Sequence, residues 1–237
     1  MLDGQTPKWI DRLERLMPGL GIPNLALFLV GAQGLGFFIV LANRQALSLL
    51  VLDPYLVLHG ELWRLISFLA VPLTLNAVWM VFALWFLYFI INGIEQEWGE
   101  FRTTLYVLVS VIFTIAFAFV AFAFGFDARI TSVVELQSAL FLAAATIAPE
   151  YQILLFFILP VKMKWLAWLT VAYIVWSLIV DSWIGRLYLL VMYANYLLFF
   201  GPYFVGRLEA FYRRKKFQHE VAAGSRVEDK SGERPRE

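Results

Sequence analysis

Six apolar stretches follow one another along most of the chain, and they constrain its fold more than any other feature. Most lie near the roughly 20 residues that an α-helix needs to cross the ~30 Å hydrocarbon core of a bilayer. They cover residues 24–43, 73–92, 103–125, 133–150, 165–180 and 187–205. Because a segment inside lipid must satisfy its backbone hydrogen bonds within the protein, such stretches predict transmembrane helices.

The composition leads to the same fold class. Of the 237 residues, 61% are hydrophobic, 17% aromatic and only 16% charged, and the mean hydropathy is +0.73. A water-soluble domain of this length is less apolar, so we predict an all-α integral membrane protein. A net charge of +1 gives no reason to expect nucleic acid as a partner. The chain has no cysteine and two histidines, so we expect no metal site and no cofactor.

Three regions are predicted along the chain. Residues 1–23 form an amphipathic segment, because within residues 7–19 apolar side chains share one helical face and charged ones share the other. This segment is expected to lie in the membrane interface, and packing on the rest of the protein is the alternative. Residues 24–206 form the transmembrane domain, and residues 207–237 form a basic tail that is expected to be largely disordered.

The distribution of lysine and arginine predicts the orientation. Six spans bring both termini to one side of the membrane, where eleven basic residues fall up to residue 216, against four on the other side. Basic residues favour the cytoplasm, so both termini are expected there. Four of the eleven form the cluster 213–216, which suits contact with anionic membrane lipids or serves as an ordinary anchor. The short polar ends favour a bacterial inner membrane.

The connection between the first two stretches has a character of its own. Residues 44–72 contain apolar runs that charged residues, a proline and a glycine interrupt before they could span. We expect a re-entrant or interfacial loop, with Trp63 and Trp79 at the level of the lipid headgroups. The first stretch carries three glycines, which predict a close helix contact.

The fourth stretch, 133–150, is short and carries polar residues at its first turn. Glu135, Gln137 and Ser138 lie there, beside a face of small alanine residues. Polar groups are costly in lipid, so this helix is expected in the middle of a bundle, where the cluster is the candidate site.

Three segments, in their order and spacing, resemble the rhomboid superfamily of intramembrane serine proteases and its inactive relatives. Residues 60–72, GELWRLISFLAVP, resemble the tryptophan-arginine motif of that superfamily. Residues 93–102, GIEQEWGEFR, are similar to its signature where helix two ends, and residues 153–168 look like its connection between helices four and five. The motif residues that match are Trp63, Arg64, Gly93, Glu95, Trp98 and Gly99.

The resemblance implies a rhomboid-like six-transmembrane-helix bundle with a central helix four and a long, partly inserted loop between helices one and two. It also implies the place of a catalytic dyad, a serine opening helix four and a histidine on helix six. Here Gln137 holds the nucleophile position and Ser138 that of the following glycine, unless the alignment shifts by one residue. Tyr193 or Asn195 falls where the histidine is expected, and neither is a good base at neutral pH.

Other catalytic arrangements find little support. No lysine lies within a predicted span to act as a base for Ser138. An acid pair of Glu135 and Asp181 is disfavoured, because the two residues belong to different parts of the chain. On helix two, Asn76 and Trp79 are the nearest candidates for the residues that stabilise an oxyanion in active members of the superfamily.

The candidate residues therefore receive structural interpretations as well. Gln137 and Ser138 are expected to hydrogen-bond Tyr193 and Asn195 across helices four and six, while contact with a substrate helix, shared with Glu135, is the alternative.

The motif residues are expected to hold the ends of the bundle. Trp63 and Arg64 anchor the long loop, the turn around Glu95 caps helix two, and Glu135 pairs with Arg129 or with Arg64.

The favoured interpretation is a rhomboid-like protein without the serine-histidine dyad, which binds or scaffolds transmembrane helices of other membrane proteins. The first alternative is an active intramembrane serine protease in which Ser138 uses an unconventional base. The second is a structural subunit of an oligomer or a larger membrane complex.

Overall fold

The computed structural model describes residues 7–155 and 159–232, and within these residues the fold is helical except for one short hairpin. The predictions for residues 1–6, 156–158 and 233–237 lie outside the described residues. The helices are α1 Lys8–Leu16, α2 Leu25–Ala42, α3 Leu47–Leu50, α4 Pro54–Leu58, α5 Arg64–Ser67, α6 Ala77–Trp98, α7 Glu100–Ala123, α8 Val134–Ile147, α9 Met163–Val180 and α10 Trp183–Gly232. The strands are β1 Gln152–Leu155 and β2 Leu159–Lys162.

By length and composition, 5 helices in the described part of the chain are able to cross a membrane. They are α2 with its preceding turn, α6, α7, α9 and α10 up to Phe217. An all-α integral membrane protein is thereby confirmed. The fourth predicted span, residues 133–150, corresponds to α8, whose 14 residues reach only ~21 Å, so the count of six spans remains a prediction.

Helix α8 occupies the centre of the bundle. It packs against α6, α9 and α10, and buried residues run without interruption from Ala139 to Ala145. Four alanines in this run allow neighbouring backbones to approach, as small residues do between membrane helices. The helix ends at Ile147 because Pro149 has no N–H to continue the hydrogen-bond ladder.

The N-terminal helix α1 packs on the bundle, which is the second of the two placements considered from sequence. Ile10 is fully buried, and the ring of Trp9 meets that of Phe199 on α10 edge to face, 5.2 Å between centroids. On the other side, the guanidinium of Arg102 lies 3.2 Å from the carboxylate of Asp11 and also pairs with Glu14. Charged residues that looked solvated in the sequence thus bind α7.

The long connection between α2 and α6 folds into the short helices α3, α4 and α5 rather than running as an irregular loop. A pair of backbone hydrogen bonds joins Leu52 to Ile130 in the segment before α8, at 2.9 and 3.3 Å. Leu52 and Phe68 belong to a second apolar cluster with residues of α7. The connection is therefore attached both to α7 and to the entrance of α8.

Within the stretch predicted to be a surface-lying connection, residues 152–155 pair with residues 159–162 as antiparallel strands of a hairpin. The carboxylate of Glu150 forms ion pairs with the ammonium groups of Lys162 at 2.8 Å and Lys164 at 2.6 Å. Hydrogen bonds from these two lysines lower the pKa of the exposed Glu150 carboxyl to about 2. Charges that ended an apolar run in the sequence therefore bring the hairpin back to the end of α8.

Helix α10 extends well past the predicted end of the last span. The tail from Arg207 onward is expected from composition to be largely disordered, yet the helix continues to Gly232. Its basic and acidic residues favour helix as well as solvation, because long straight-chain side chains lose little freedom in a helix.

Candidate functional site

A cavity of about 330 Å³ lies between α6, α8 and α9, and the polar cluster predicted from sequence borders it. Gln137 and Ser138 contribute from α8, and Thr170 from α9. The rest of the lining is apolar and comes from α6, α8 and the segment before α6, with Leu73, Phe82, Ala83, Phe86, Leu87, Ile90, Val134 and Phe141. The site thus presents a few polar groups on an apolar wall, as ligand sites commonly do.

The hydroxyl of Ser138 lies 2.7 Å from that of Tyr193 on α10 and 2.8 Å from the backbone carbonyl of Glu135. A hydroxyl has only one proton, so a serine that donates to the carbonyl accepts a hydrogen bond from the tyrosine. The serine proton is therefore engaged in a hydrogen bond to a backbone carbonyl oxygen. This arrangement stabilises the helices and offers Ser138 no general base.

The predicted lock between helices four and six forms only in part. The Ser138–Tyr193 bond is present, but Asn195 faces α7, where its amide donates to the hydroxyl of Ser110 at 2.6 Å. The side-chain nitrogen of Gln137 is buried and has no hydrogen-bond partner among the described residues. The prediction that Gln137 and Asn195 join the lock is wrong, because successive residues of a helix point to different neighbours.

Removing the Ser138–Tyr193 bond is expected to weaken the bundle modestly. Interhelical hydrogen bonds of this kind contribute about 0.6 kcal/mol on average and up to ~1.7 kcal/mol. A double-mutant cycle of Ser138→Ala and Tyr193→Phe, read by thermal unfolding in detergent, should give a coupling energy in this range. Additive effects of the two substitutions would contradict the bond.

Glu135 lies at the first turn of α8, and neither arginine expected to pair with it does so. Arg129 forms an ion pair with Asp127, and both of these side chains are exposed. Arg64 forms an ion pair with Glu61 at 2.6 Å. Asp181, at the end of α9, is the carboxylate that acts electrostatically on Glu135. The two acids that seem distant in the sequence therefore share one end of the bundle, and no ion pair of either occurs within the described part of the chain.

The segment GIEQEWGEFR, residues 93–102, joins three helices at the end of the bundle opposite Glu135. The carboxylate of Glu95 accepts a hydrogen bond from the backbone N–H of Leu25 at 2.8 Å. It therefore caps α2 instead of α6, satisfying a donor that the helix start leaves free. Trp98 is buried and stacks on Phe200 of α10, 5.1 Å between centroids. Gly99 separates α6 from α7 with a φ of +87°, which favours glycine.

Gly93, the first residue of this segment, is not required by close packing. A Cβ placed on it would meet no described atom within 4 Å, and the residue borders a small cavity beside Ala144 and Ala148 at the end of α8.

Trp63 and Arg64 differ in their placement. Trp63 is exposed, as expected for a residue at the interface, whereas the side chain of Arg64 is buried. The guanidinium of Arg64 donates to the carbonyl oxygens of Ser48 at 2.5 Å and Val51 at 2.9 Å, besides its bond to Glu61. Arg64 thus holds the long connection together from inside rather than anchoring it to the membrane surface.

Polar residues of α7, which the sequence interpretation passed over, hold both α8 and α10. The hydroxyl of Tyr106 donates to the carbonyl of Ala139 at 2.9 Å, Ser110 receives the amide of Asn195, and Thr114 contacts the sulfur of Met192. Tyr106, Ser110 and Thr114 recur every fourth residue, a spacing that places them on one helical face. This four-residue spacing of polar side chains in an apolar helix could have predicted a contact face of α7 from the sequence.

No chemistry of histidine or metal is evident in the described part of the chain. His59 is exposed, and its ring nitrogen lies 2.7 Å from the carbonyl of Tyr55. No group of three or more histidine or acidic side chains able to hold a metal ion occurs within the residues described.

Comparison with known proteins identifies the family. A family described as "Eukaryotic integral membrane protein (DUF1751)" matches residues 25–206, which is most of the chain. The chain belongs to this family. No curated protein and no solved structure matches it. The DUF1751 match runs from the start of α2 to the middle of α10. It therefore includes α6, α8 and α9, which border the cavity.

The family also corrects one prediction. DUF1751 is described as eukaryotic, so the expectation of a bacterial inner membrane is wrong, whereas integral membrane character is confirmed. Short polar ends are a poor indicator of source, because they are equally compatible with a eukaryotic membrane protein.

Proposed function

We propose that this DUF1751 protein binds transmembrane helices of other membrane proteins in the cavity between α6, α8 and α9, without cleaving them. The observation that carries the proposal is Gln137. Its amide nitrogen is buried and lacks a partner among the described residues, and the residue lines an apolar cavity. An unsatisfied donor in an apolar wall costs free energy, which a carbonyl or hydroxyl on an incoming helix recovers.

The proposal includes a sixth crossing by α8 inside the bundle. At ~21 Å this helix is shorter than the ~30 Å hydrocarbon core. A helix with several buried neighbours needs no lipid contact over its whole length, and a short central helix draws the polar ends of the bundle closer together. We infer that the bilayer thins beside it, which lowers the cost of bringing a polar residue of another helix to Gln137.

The resemblance to the rhomboid superfamily supports the same function. In this proposal the protein keeps a rhomboid-like fold and has lost hydrolysis. Ser138 supports the loss, because its closest side-chain partner is the Tyr193 hydroxyl, and a phenol with an ordinary pKa near 10 is a poor base at neutral pH.

Photo-crosslinking tests the binding of a helix. A benzoylphenylalanine at Phe82 lies on the cavity wall, and one at Tyr88 provides a matched aromatic control on α6 outside the cavity lining. In native membranes, position 82 is expected to capture a protein with a transmembrane segment, and position 88 only lipid. Gln137→Leu should reduce the capture at position 82 at equal expression.

Two outcomes would overturn the proposal. Either both positions capture lipid alone, or Gln137→Leu leaves the protein adduct at position 82 unchanged. Adducts with one protein at both positions would instead favour a permanent subunit of a larger complex.

An activated serine is expected to be absent. A fluorophosphonate probe, which reacts with serine nucleophiles, should leave Ser138 unlabelled, because the Ser138 hydroxyl donates its hydrogen bond to a backbone carbonyl and not to a general base. Mass spectrometry of the probe-treated protein in mild detergent measures this, with an active serine hydrolase in the same sample as the positive control. Labelling that Ser138→Ala removes would establish the protease instead.

A further inference from the structure

The part of α10 that follows the bundle has a two-faced surface. Phe204, Leu208, Phe211 and Tyr212 follow the i, i+4, i+7, i+8 pattern and form one apolar stripe. All four are exposed, Phe211 at 61% and Tyr212 at 67%. No described element covers this stripe, so an amphipathic face remains on the surface of the protein.

Basic residues lie on both sides of the stripe and, at Lys215, at its C-terminal end. Between residues 203 and 217 the chain carries five basic residues and a single acid, Glu209. The basic residues are Arg207, Arg213, Arg214, Lys215 and Lys216. Glu209 forms one long pair with Arg213, at 3.9 Å. Arg214 and Lys215 have no carboxylate partner among the described residues. An apolar stripe beside such a cluster is complementary to a surface that is apolar inside and negative outside.

The start of the stripe lies where the helix leaves the bundle. Phe199 and Phe200 are buried against Trp98, the last residue of α6, with ring centroids 5.9 and 5.1 Å from it. Phe204 lies one turn further, ~6 Å along the axis, and Phe211 ~16 Å beyond Phe200. Trp98 is followed by the charged residues Glu100 and Arg102 at the start of α7. Charged residues lie at the ends of membrane spans, so the stripe begins at the bilayer surface.

A bend in the helix would allow the stripe to reach that surface along its whole length. Pro202 lies inside α10, and it has no N–H to donate to the carbonyl of Leu198. Proline is the usual cause of a kink in a long helix. The helix therefore lacks one backbone hydrogen bond between the part of α10 that is fixed in the bundle and the part that carries the stripe.

We propose that residues 203–217 of α10 form an amphipathic surface helix that lies on an anionic lipid bilayer. The apolar stripe faces the acyl boundary, and Arg207, Arg214 and Lys215 reach the phosphate groups with their long side chains. The α10 span tethers this segment to the bilayer, so the lipid surface is its nearest partner at all times. The inference is independent of what the cavity binds.

The absence of cysteine from the chain makes the test direct. A single Phe211→Cys substitution places an environment-sensitive nitrobenzoxadiazole label on the stripe. A single Ala210→Cys substitution places the same label on another face of the helix and leaves every charge in place. Each labelled full-length protein is reconstituted into phosphatidylcholine vesicles, with or without phosphatidylserine, and quenching by nitroxide-labelled lipid is measured.

In vesicles with phosphatidylserine, the label at position 211 is expected to shift to shorter emission wavelength and to be quenched by the nitroxide lipid. The label at position 210 should remain in water. Arg214→Gln together with Lys215→Gln should weaken the quenching at position 211 by about fivefold for each charge removed. High salt should act in the same direction.

Three results would overturn the proposal. The label at position 211 could remain in water in both kinds of vesicle, as a stripe that binds another protein would. It could be quenched equally without phosphatidylserine, which would remove the role of charge. It could also behave like the label at position 210, which would mean that the segment has no preferred face on the bilayer.

Discussion

Gly36→Ala is expected to destabilise the protein more than alanine at any other glycine of α2. A Cβ built on Gly36 overlaps the backbone carbonyl of Ala70, in the turn Phe68–Ala70 that packs on α2. Backbone atoms move less readily than the end of a side chain, so the two elements must separate. Overpacking of this kind costs about 1–3 kcal/mol or more in unfolding free energy. Thermal unfolding in detergent, followed by loss of the monomer peak in size-exclusion chromatography, measures the change.

Two matched controls lie on the same helix. Gly31 has no described atom within 4 Å of a built Cβ, and Gly34 has only an ordinary contact of 3.7 Å with Leu84. Alanine at Gly31 should be neutral or slightly stabilising, because alanine favours helix over glycine by about 1 kcal/mol. If all three substitutions lower stability equally, the close approach of α2 to Ala70 is not the reason.

Arg64→Ala is expected to cost about 3 kcal/mol in unfolding free energy. The guanidinium is buried with only 2% of the residue exposed, and its removal leaves the carbonyls of Ser48 and Val51 and the carboxylate of Glu61 without their donor. Removing one partner of a buried ion pair typically costs 3–5 kcal/mol. The lower value applies because Glu61 is partly exposed and water can solvate it.

The measurement is the same thermal unfolding assay, with Arg44→Ala as the control. Arg44 lies in the same connection, but its side chain is exposed, so its loss should change stability by less than ~0.5 kcal/mol. Arg64→Lys should fall between the two, because one ammonium cannot replace the separate donors of the guanidinium. Equal effects of Arg64→Ala and Arg44→Ala would contradict the role of Arg64 inside the connection.

The transmembrane helices could be predicted from sequence because their apolar length is set by the bilayer rather than by packing partners. The central place of α8 was also predictable, since its polar first turn and its alanines are costly or poorly matched in lipid. The hairpin after α8 was not. Its two strands pair through their backbones, and Glu150 meets Lys162 and Lys164 beside them. Sequence distance alone does not show which of these groups meet.

For the candidate site, sequence identified Gln137, Ser138 and Tyr193 but not how they are oriented. Ser138 meets Tyr193 while Asn195, two residues along the same helix, meets Ser110 of α7. A helix turns by 100° per residue, so which side chain of α10 faces α8 depends on its rotation, and composition does not determine it. The burial of Arg64 is a similar case, because an arginine in a loop is usually exposed.

Three hydrogen bonds made from a single turn of α10 have a consequence for how this helix is able to move. Ser138 meets Tyr193, Ser110 meets Asn195 and Thr146 meets Tyr196. A sliding movement by one helical turn, ~5.4 Å, would break all of these contacts at once. These hydrogen bonds therefore oppose sliding of α10 along its axis, and the packing of Phe199 and Phe200 on Trp98 holds the helix where it leaves the bundle.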